Sequence, residues 1–200
     1  MKKTMLLGVL ILSAAAGYAQ ESRQDASFSG TGFFGPQVNG NGAQMNSTGS
    51  LGLVTSYRYM LTPRSALEMN YSFTQNQQKY LISTNEPYGQ RIHSRQQEVT
   101  GAYVFNLTFK RYSPFLEAGV GTLIFSPIRD YGTQILDTKR NSNIGGLFGG
   151  GLAYELSPSF DIRVEYRGFL VKAPSYGVNN FGTNRYEVFS IPAVGVAYHF

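Results

Sequence analysis

The chain has 200 residues, with 23 glycines, 14 tyrosines, 14 phenylalanines, no cysteine, no tryptophan and a formal net charge of +5. The lack of cysteine excludes a disulfide scaffold, a cysteine-ligated metal site, a thiol nucleophile and a lipid-modified cysteine. A mean hydropathy of −0.19 excludes a polytopic helical membrane protein. Lysine and arginine are scattered rather than clustered, so we expect no nucleic-acid partner.

The N-terminal residues have the pattern of a secretory signal peptide. A basic pair, Lys2 and Lys3, precedes an apolar run, and small residues lead to a cleavage site after Ala19. The run is too short for a membrane-spanning helix, which needs about 20 residues. We therefore expect residues 1–19 to be removed and residues 20–200 to form one exported domain.

The exported part alternates between apolar and polar residues with a period of two, which is typical of half-buried strands. In the segment 66–74, for example, Leu67, Met69, Tyr71 and Phe73 share one face. Eight strands are predicted, near residues 28–38, 50–61, 66–74, 97–109, 114–125, 143–156, 160–171 and 185–200.

The first predicted strand is the least regular, with Phe28, Phe34 and Val38 as its outward residues. Pro36 and Pro192 fall inside predicted strands, and because proline has no amide hydrogen to donate, we expect a bulge or frayed pairing at both.

The predicted connections alternate in length. Short turns occupy residues 62–65, 110–113 and 157–159, whereas long polar segments occupy 39–49, 75–96, 126–142 and 172–184. An even number of strands with short turns at one end and long loops at the other is typical of a bacterial outer-membrane barrel. The sequence therefore predicts an all-β, eight-stranded antiparallel up-and-down transmembrane β-barrel, with short periplasmic turns and four longer extracellular loops.

The polar face of the predicted strands carries charges of both signs among small residues, which suits a crowded barrel interior better than a solvated surface. If these side chains were solvated instead, the chain would be a soluble ligand-binding barrel. Charges inside a barrel need partners, so an interior ion-pair network is expected. Its predicted members are Arg58, Glu68, Glu98, Glu117, Glu155, Arg163, Glu165 and Arg167.

Aromatic residues near the turn-side ends of the apolar face suit the girdle that such barrels place at the membrane interface. They are Tyr57, Tyr59, Phe105, Phe109, Phe160, Tyr198 and Phe200.

With these features, the mature chain resembles the OmpA/OmpX-type family of eight-stranded outer membrane β-barrel proteins. The resemblance rests on the signal peptide, the strand pattern and the final segment 194–200, which looks like the β-signal of that family. It implies that Val196, Tyr198 and Phe200 are read by the barrel-assembly machinery of the outer membrane. It also implies location in the bacterial outer membrane, contact with its lipid, and a monomer.

Motifs for chemistry are sparse. His93 lies in a predicted loop, and His199 lies on the predicted interior face, where Glu155 or Glu68 could accept a hydrogen bond from it. The glycine-rich segment 145–151 is not followed by the Lys-Ser/Thr of a phosphate-binding loop, so its glycines are interpreted as making room for large interior neighbours. We expect no cofactor and no metal site.

The leading functional hypothesis is a non-enzymatic envelope protein with a structural or surface role. The loops 75–96 and 126–142 would be available for adhesion or partner binding, with the ligand unknown. A narrow pore, a lipid-modifying enzyme that uses His93 or His199, and a soluble ligand-binding barrel are the alternatives.

Overall fold

The computed structural model describes residues 23–82, 90–107, 109–128, 138–178 and 182–200. The predicted signal peptide, residues 1–19, lies outside these residues. The described parts contain ten strands: β1 (Gln24–Phe33), β2 (Val38–Gly40), β3 (Ala43–Ser47), β4 (Ser50–Thr62), β5 (Ser65–Ile82), β6 (Gln90–Asn106), β7 (Tyr112–Pro127), β8 (Asn141–Ser157), β9 (Phe160–Lys172) and β10 (Tyr186–His199). The same residues include no helix with the length and apolarity needed to cross a membrane.

Eight of the strands in the described residues close into an antiparallel barrel. Each strand from β4 to β10 pairs with the next one along the chain, and β1 pairs with both β4 and β10. Tight turns join the strands at one end, and the longer connections lie at the other. The predicted fold class is therefore confirmed, and we refer to the two ends as periplasmic and extracellular, respectively.

The two faces of the barrel wall are inverted relative to a soluble protein. Apolar side chains point outward, with Leu51 86% and Ile144 82% exposed, whereas the guanidinium-bearing Arg163 and Arg167 are 1% and 0% exposed. A barrel whose outer face is apolar is stable only when an apolar phase surrounds that face. The soluble ligand-binding alternative is therefore wrong, because its apolar face would point inward.

The first strand begins and ends earlier than predicted. β1 ends at Phe33, and Pro36 lies beyond it rather than inside a strand. Val38, predicted to point outward, is buried in β2. The outward positions of β1 include Gly30 and Gly32, so this strand lacks the apolar alternation from which the other strands were recognised.

The predicted loop 75–96 is largely β-structure. β5 and β6 stay paired from Gln75 opposite Arg95 to Tyr80 opposite Gln90, well beyond the apolar outer face. Polar residues occupy both faces of this extension, because outside the membrane the outer face meets water. A strand of this kind lacks the alternation of hydropathy by which strands are recognised.

The predicted loop 39–49 also contains strands. β2 and β3 form a hairpin whose turn residues, Asn41 and Gly42, have φ values of 50° and 75°, as a two-residue hairpin turn requires. β3 then pairs with the extension of β5, from Ala43 opposite Ile82 to Ser47 opposite Gln78. We call the β2–β3 hairpin together with residues 75–82 and 90–97 the extracellular projection.

Candidate functional site

The periplasmic half of the lumen holds a cluster of buried ions. Arg58 on β4 lies opposite Glu68 on β5 in the strand register, and its Nε donates to Glu68 Oε2 at 2.6 Å. From β9, Arg163 donates to Asp25 Oδ1 on β1 at 3.0 Å and lies 3.7 Å from Glu68 Oε2. The ring of Phe115 lies 4.8 Å from Arg58 Cζ and 5.7 Å from Arg163 Cζ. We call these four charged residues the lower cluster.

A second group of buried ions lies at mid-height. Arg167 on β9 donates from Nη2 to Glu98 Oε1 on β6 at 2.8 Å, and its Nε lies 3.5 Å from Glu117 Oε1 on β7. Because β6 and β9 are not neighbours in the wall, Arg167 spans the lumen. Glu165 is buried on the same face of β9. We call these four residues the middle cluster.

Glycines on β8 leave room for the middle cluster, and a Cβ added to Gly151 would lie 2.9 Å from Glu165 Cβ. A Cβ added to Gly149 on β8 would lie 2.6 Å from Glu117 Oε1 and 3.2 Å from Arg167 Cα. Making room for large interior neighbours is the role predicted from the sequence for the glycine-rich segment 145–151. A larger residue at position 149 would displace Glu117.

The structure brings together seven of the eight charged residues predicted for the interior. The eighth, Glu155, was wrongly predicted: it is exposed, close to an irregularity between β8 and β9 where the strands approach their turn. Asp25 is a further buried member that the sequence did not predict, because the first strand was predicted to start after it. The alternation of Asp25, Ser27, Ser29 and Thr31 could have indicated an inward polar face.

His199 pairs with a different carboxylate from those predicted. Its Nε2 lies 2.9 Å from Asp161 Oδ2 at the periplasmic rim, because Asp161 on β9 lies next to β10 and opposite Ala197. His93 belongs to the extracellular projection, so the two histidines lie at opposite ends of the barrel. Within the parts of the chain that the structure describes, no group of three or more histidine and acidic side chains is placed to hold a metal ion.

A layer of apolar side chains packs together in the extracellular half of the lumen, beside buried polar residues such as Gln78 and Glu187. Ring centroids lie 4.6 Å apart for Phe33 and Phe189, 6.3 Å for Phe125 and Phe189, and 6.4 Å for Phe125 and Tyr176. The alternation of the sequence predicts a polar interior throughout, so this apolar layer is a correction. It was missed because apolar residues occur on both faces here, which obscures the alternation. We call it the aromatic layer.

Residues 173–178 cover the aromatic layer from the extracellular side. Tyr176 is fully buried and donates to Gln78 Oε1, and the Tyr80 hydroxyl donates to the Pro174 carbonyl at 2.9 Å. Burial raises the pKa of the Tyr176 phenol, so it remains a neutral donor. The lumen thus contains two layers of ions below and one of aromatic rings above.

The chain matches the model of the outer membrane protein beta-barrel domain over residues 4–200. The chain belongs to this family. The resemblance to outer-membrane barrels and the location in the bacterial outer membrane are therefore confirmed, and the outward apolar face is the surface that lipid covers. No curated protein matches the chain in sequence.

Solved outer-membrane proteins share the fold at low sequence identity. Outer membrane protein OprG from Pseudomonas aeruginosa has a TM-score of 0.65 and 13% identity, over 90% of this chain and 97% of that one. Neisserial surface protein A has a TM-score of 0.62 and 13% identity, over 90% and 98%. The attachment invasion locus protein Ail of Yersinia pestis, in complex with the heparin analogue sucrose octasulfate, has a TM-score of 0.51 and 16% identity, over 89% of this chain and 99% of that one.

Proposed function

We propose that this protein is a non-enzymatic, monomeric barrel with a closed lumen, and that its extracellular projection binds an anionic partner. The proposal rests on two observations: side chains fill the lumen, and the strands of the extracellular projection above it are paired. A packed interior leaves no path for bulk solutes, so the part of the molecule that can meet a partner is the part outside the membrane.

The outer face of the projection is basic. Arg91 and Arg95 are exposed on β6, and Lys79 on β5 is paired with Arg91 in the strand register. At about 3.3 Å per residue, Arg91 and Arg95, which are four residues apart on one face of the strand, lie about 13 Å apart along an extended row. A row of cations favours a partner with repeated sulfate or carboxylate groups. Ail, which shares the fold, was solved with a sulfated sugar, and this agrees with the chemistry proposed.

We expect the triple variant Lys79→Gln/Arg91→Gln/Arg95→Gln to bind sucrose octasulfate about 3- to 150-fold more weakly, since each exposed ion pair contributes about 0.2–1 kcal/mol. Isothermal titration in detergent measures the change. The matched control, Arg64→Gln/Arg111→Gln/Lys110→Gln, removes the same charge at the periplasmic turns and should bind normally. Equal losses in both variants, or no binding by the unmodified protein, would contradict the proposed function.

We also propose that Val196, Tyr198 and Phe200 form the assembly signal in the last strand. Val196 and Phe200 are exposed on the outer face, and Tyr198 and Phe200 stack with ring centroids 6.0 Å apart. This row is accessible to an assembly factor before the β1–β10 seam closes.

The variant Phe200→Ala should reach the outer membrane at a clearly reduced level, as measured by membrane fractionation and by the heat-dependent gel mobility of the folded barrel. Phe109→Ala serves as the control, because Phe109 is also an exposed aromatic residue at the periplasmic end. Normal levels of Phe200→Ala would refute the assembly signal.

A further inference from the structure

The outer wall of the barrel has a groove on its lipid-facing side, with a volume of about 480 Å³. Its floor is formed by Gly30 on the outward face of β1, and the ring of Phe34 covers the neighbouring outward position, Gly32. Leu51 borders it from β4, and Pro192 and Val194 border it from β10. Elsewhere the outer face carries large side chains at most outward positions, so the missing side chain at Gly30 leaves a depression in the surface.

The groove lies where the closure of the barrel is interrupted. The β1–β10 pairing runs up to Thr31 opposite Ala193 and resumes at Phe34 opposite Ser190. Between these positions Pro192 has no amide hydrogen to give to the Gly32 carbonyl. The Thr31 hydroxyl lies 2.9 Å from the carbonyl oxygens of both Gly32 and Pro192. It can therefore donate to the Gly32 carbonyl in place of the missing amide hydrogen. The disturbed pairing predicted at Pro192 is thus present.

Two cations lie above the groove at the extracellular end of the same face. Lys172 is exposed at the end of β9 and pairs with Tyr186, the first residue of β10, which is 69% exposed. Arg185 is exposed beside them, and its carbonyl accepts a hydrogen bond from the amide of Ala173 at 2.9 Å.

The separation between groove and cations matches one membrane leaflet. Six residues along β10 separate Tyr186 from Pro192, which is roughly 20 Å at about 3.3 Å per residue. A strand tilt of about 40° reduces this to roughly 15 Å along the membrane normal. That is half of the hydrocarbon thickness of about 30 Å, so an acyl chain attached to a head group at Lys172 can reach the groove.

We propose that this face binds one anionic, acylated lipid of the outer leaflet. One acyl chain lies in the groove over Gly30, and a phosphate group of the head group lies between Lys172 and Arg185. Lipid surrounds the whole barrel, and this face combines a groove with cations one leaflet above it. The site is separate from the basic row of the extracellular projection.

The groove can be filled without disturbing the wall. A Cβ added to Gly30 would have only the Val194 carbonyl oxygen nearby, at 4.0 Å, so Gly30→Leu should fold and occupy the groove. Gly101 on β6 offers a matched control. It is exposed on the outer face, and a Cβ there would meet nothing within 4 Å. Gly101→Leu therefore adds the same side chain to the lipid-facing surface away from the groove.

Native mass spectrometry of the detergent-solubilised full-length barrel, titrated with bisphosphorylated lipid A, tests the site. We expect one tightly bound lipid for the unmodified protein and for Gly101→Leu, and loss of that lipid for Gly30→Leu. Lys172→Gln and Arg185→Gln should each weaken binding about fivefold, because one cation near an anionic membrane surface contributes about 1 kcal/mol. Arg64→Gln, which removes an exposed cation at the periplasmic turn, should leave it unchanged.

Inorganic phosphate should not displace the lipid, since it lacks the acyl chain. Heat-dependent gel mobility establishes that each variant is folded; should Gly30→Leu fail to fold, Gly30→Ala repeats the test with a partial effect. Equal binding by Gly30→Leu and the unmodified protein, or equal losses in Gly30→Leu and Gly101→Leu, would overturn the proposal. Full displacement by inorganic phosphate would overturn it as well, by showing a simple anion site.

Discussion

Replacement of Arg167 by methionine is expected to destabilise the barrel by about 3–5 kcal/mol, because it leaves buried carboxylates without their cation. Arg167 is 0% exposed and is the cation nearest to both Glu98 and Glu117. Methionine is long and apolar, so the expected loss comes from the uncompensated charge more than from a cavity. Urea-dependent unfolding in lipid vesicles, followed by tyrosine fluorescence and gel mobility, measures the change.

The origin of the loss can be separated from a simple packing defect by removing the charges together. Ser72 donates to Glu98 Oε2 at 3.2 Å, and a glutamine at position 98 could accept the same bond. The quadruple variant Arg167→Met/Glu98→Gln/Glu117→Gln/Glu165→Gln should therefore regain much of the lost stability. Arg111→Met at the exposed β6–β7 turn is the control for arginine loss itself and should behave as the unmodified protein does. Unchanged stability of Arg167→Met would show that the middle cluster does not support the fold.

Local pairing in the lower cluster could be predicted from the sequence, whereas contacts across the lumen could not. Arg58 and Glu68 lie at nearly equal distances from the short turn 62–65, so the turn sets their register and brings them opposite each other. The contact of Arg167 with Glu98 depends on how the sheet closes and on the stagger of its strands. The alternation of residues within one strand predicts neither the closure of the sheet nor the stagger of its strands.

The errors in the sequence analysis share a physical cause. Alternation reveals a strand only where one face meets an apolar phase and the other meets polar groups. In the extracellular projection the outer face is largely polar and the inner face mixes polar residues with the buried Tyr80 and Ile92, so residues 75–82 and 90–96 lack the alternation that predicts a strand. In the aromatic layer both faces are apolar, and the neighbours Ile124 and Phe125 give no indication of which one points inward. β1 has small residues at outward positions, which weakened its pattern and led to Asp25 being missed.

The unmodified protein is expected to pass no ionic current in planar lipid bilayers, because its lumen is closed at several heights by different chemistry. The middle cluster closes it with ion pairs across the lumen, and the aromatic layer closes it above. Eight strands enclose an interior that side chains just fill. The narrow-pore alternative requires a water-filled path past both layers, so a steady current from the unmodified protein would favour the pore and contradict the closed lumen.

Three closures in series predict that no single opening gives a current. The variant Phe125→Ala/Tyr176→Ala opens the aromatic layer, and Arg167→Ser/Glu98→Ser/Glu117→Ser/Glu165→Ser removes all four charged side chains of the middle cluster. Each alone should stay silent, since the other layers still block water. The combination should stay silent as well, provided that gel mobility shows it to be folded, because the lower cluster still closes the lumen. Current from the aromatic-layer variant alone would mean that ions already pass the clusters, and the aromatic layer would then be the only seal of the lumen.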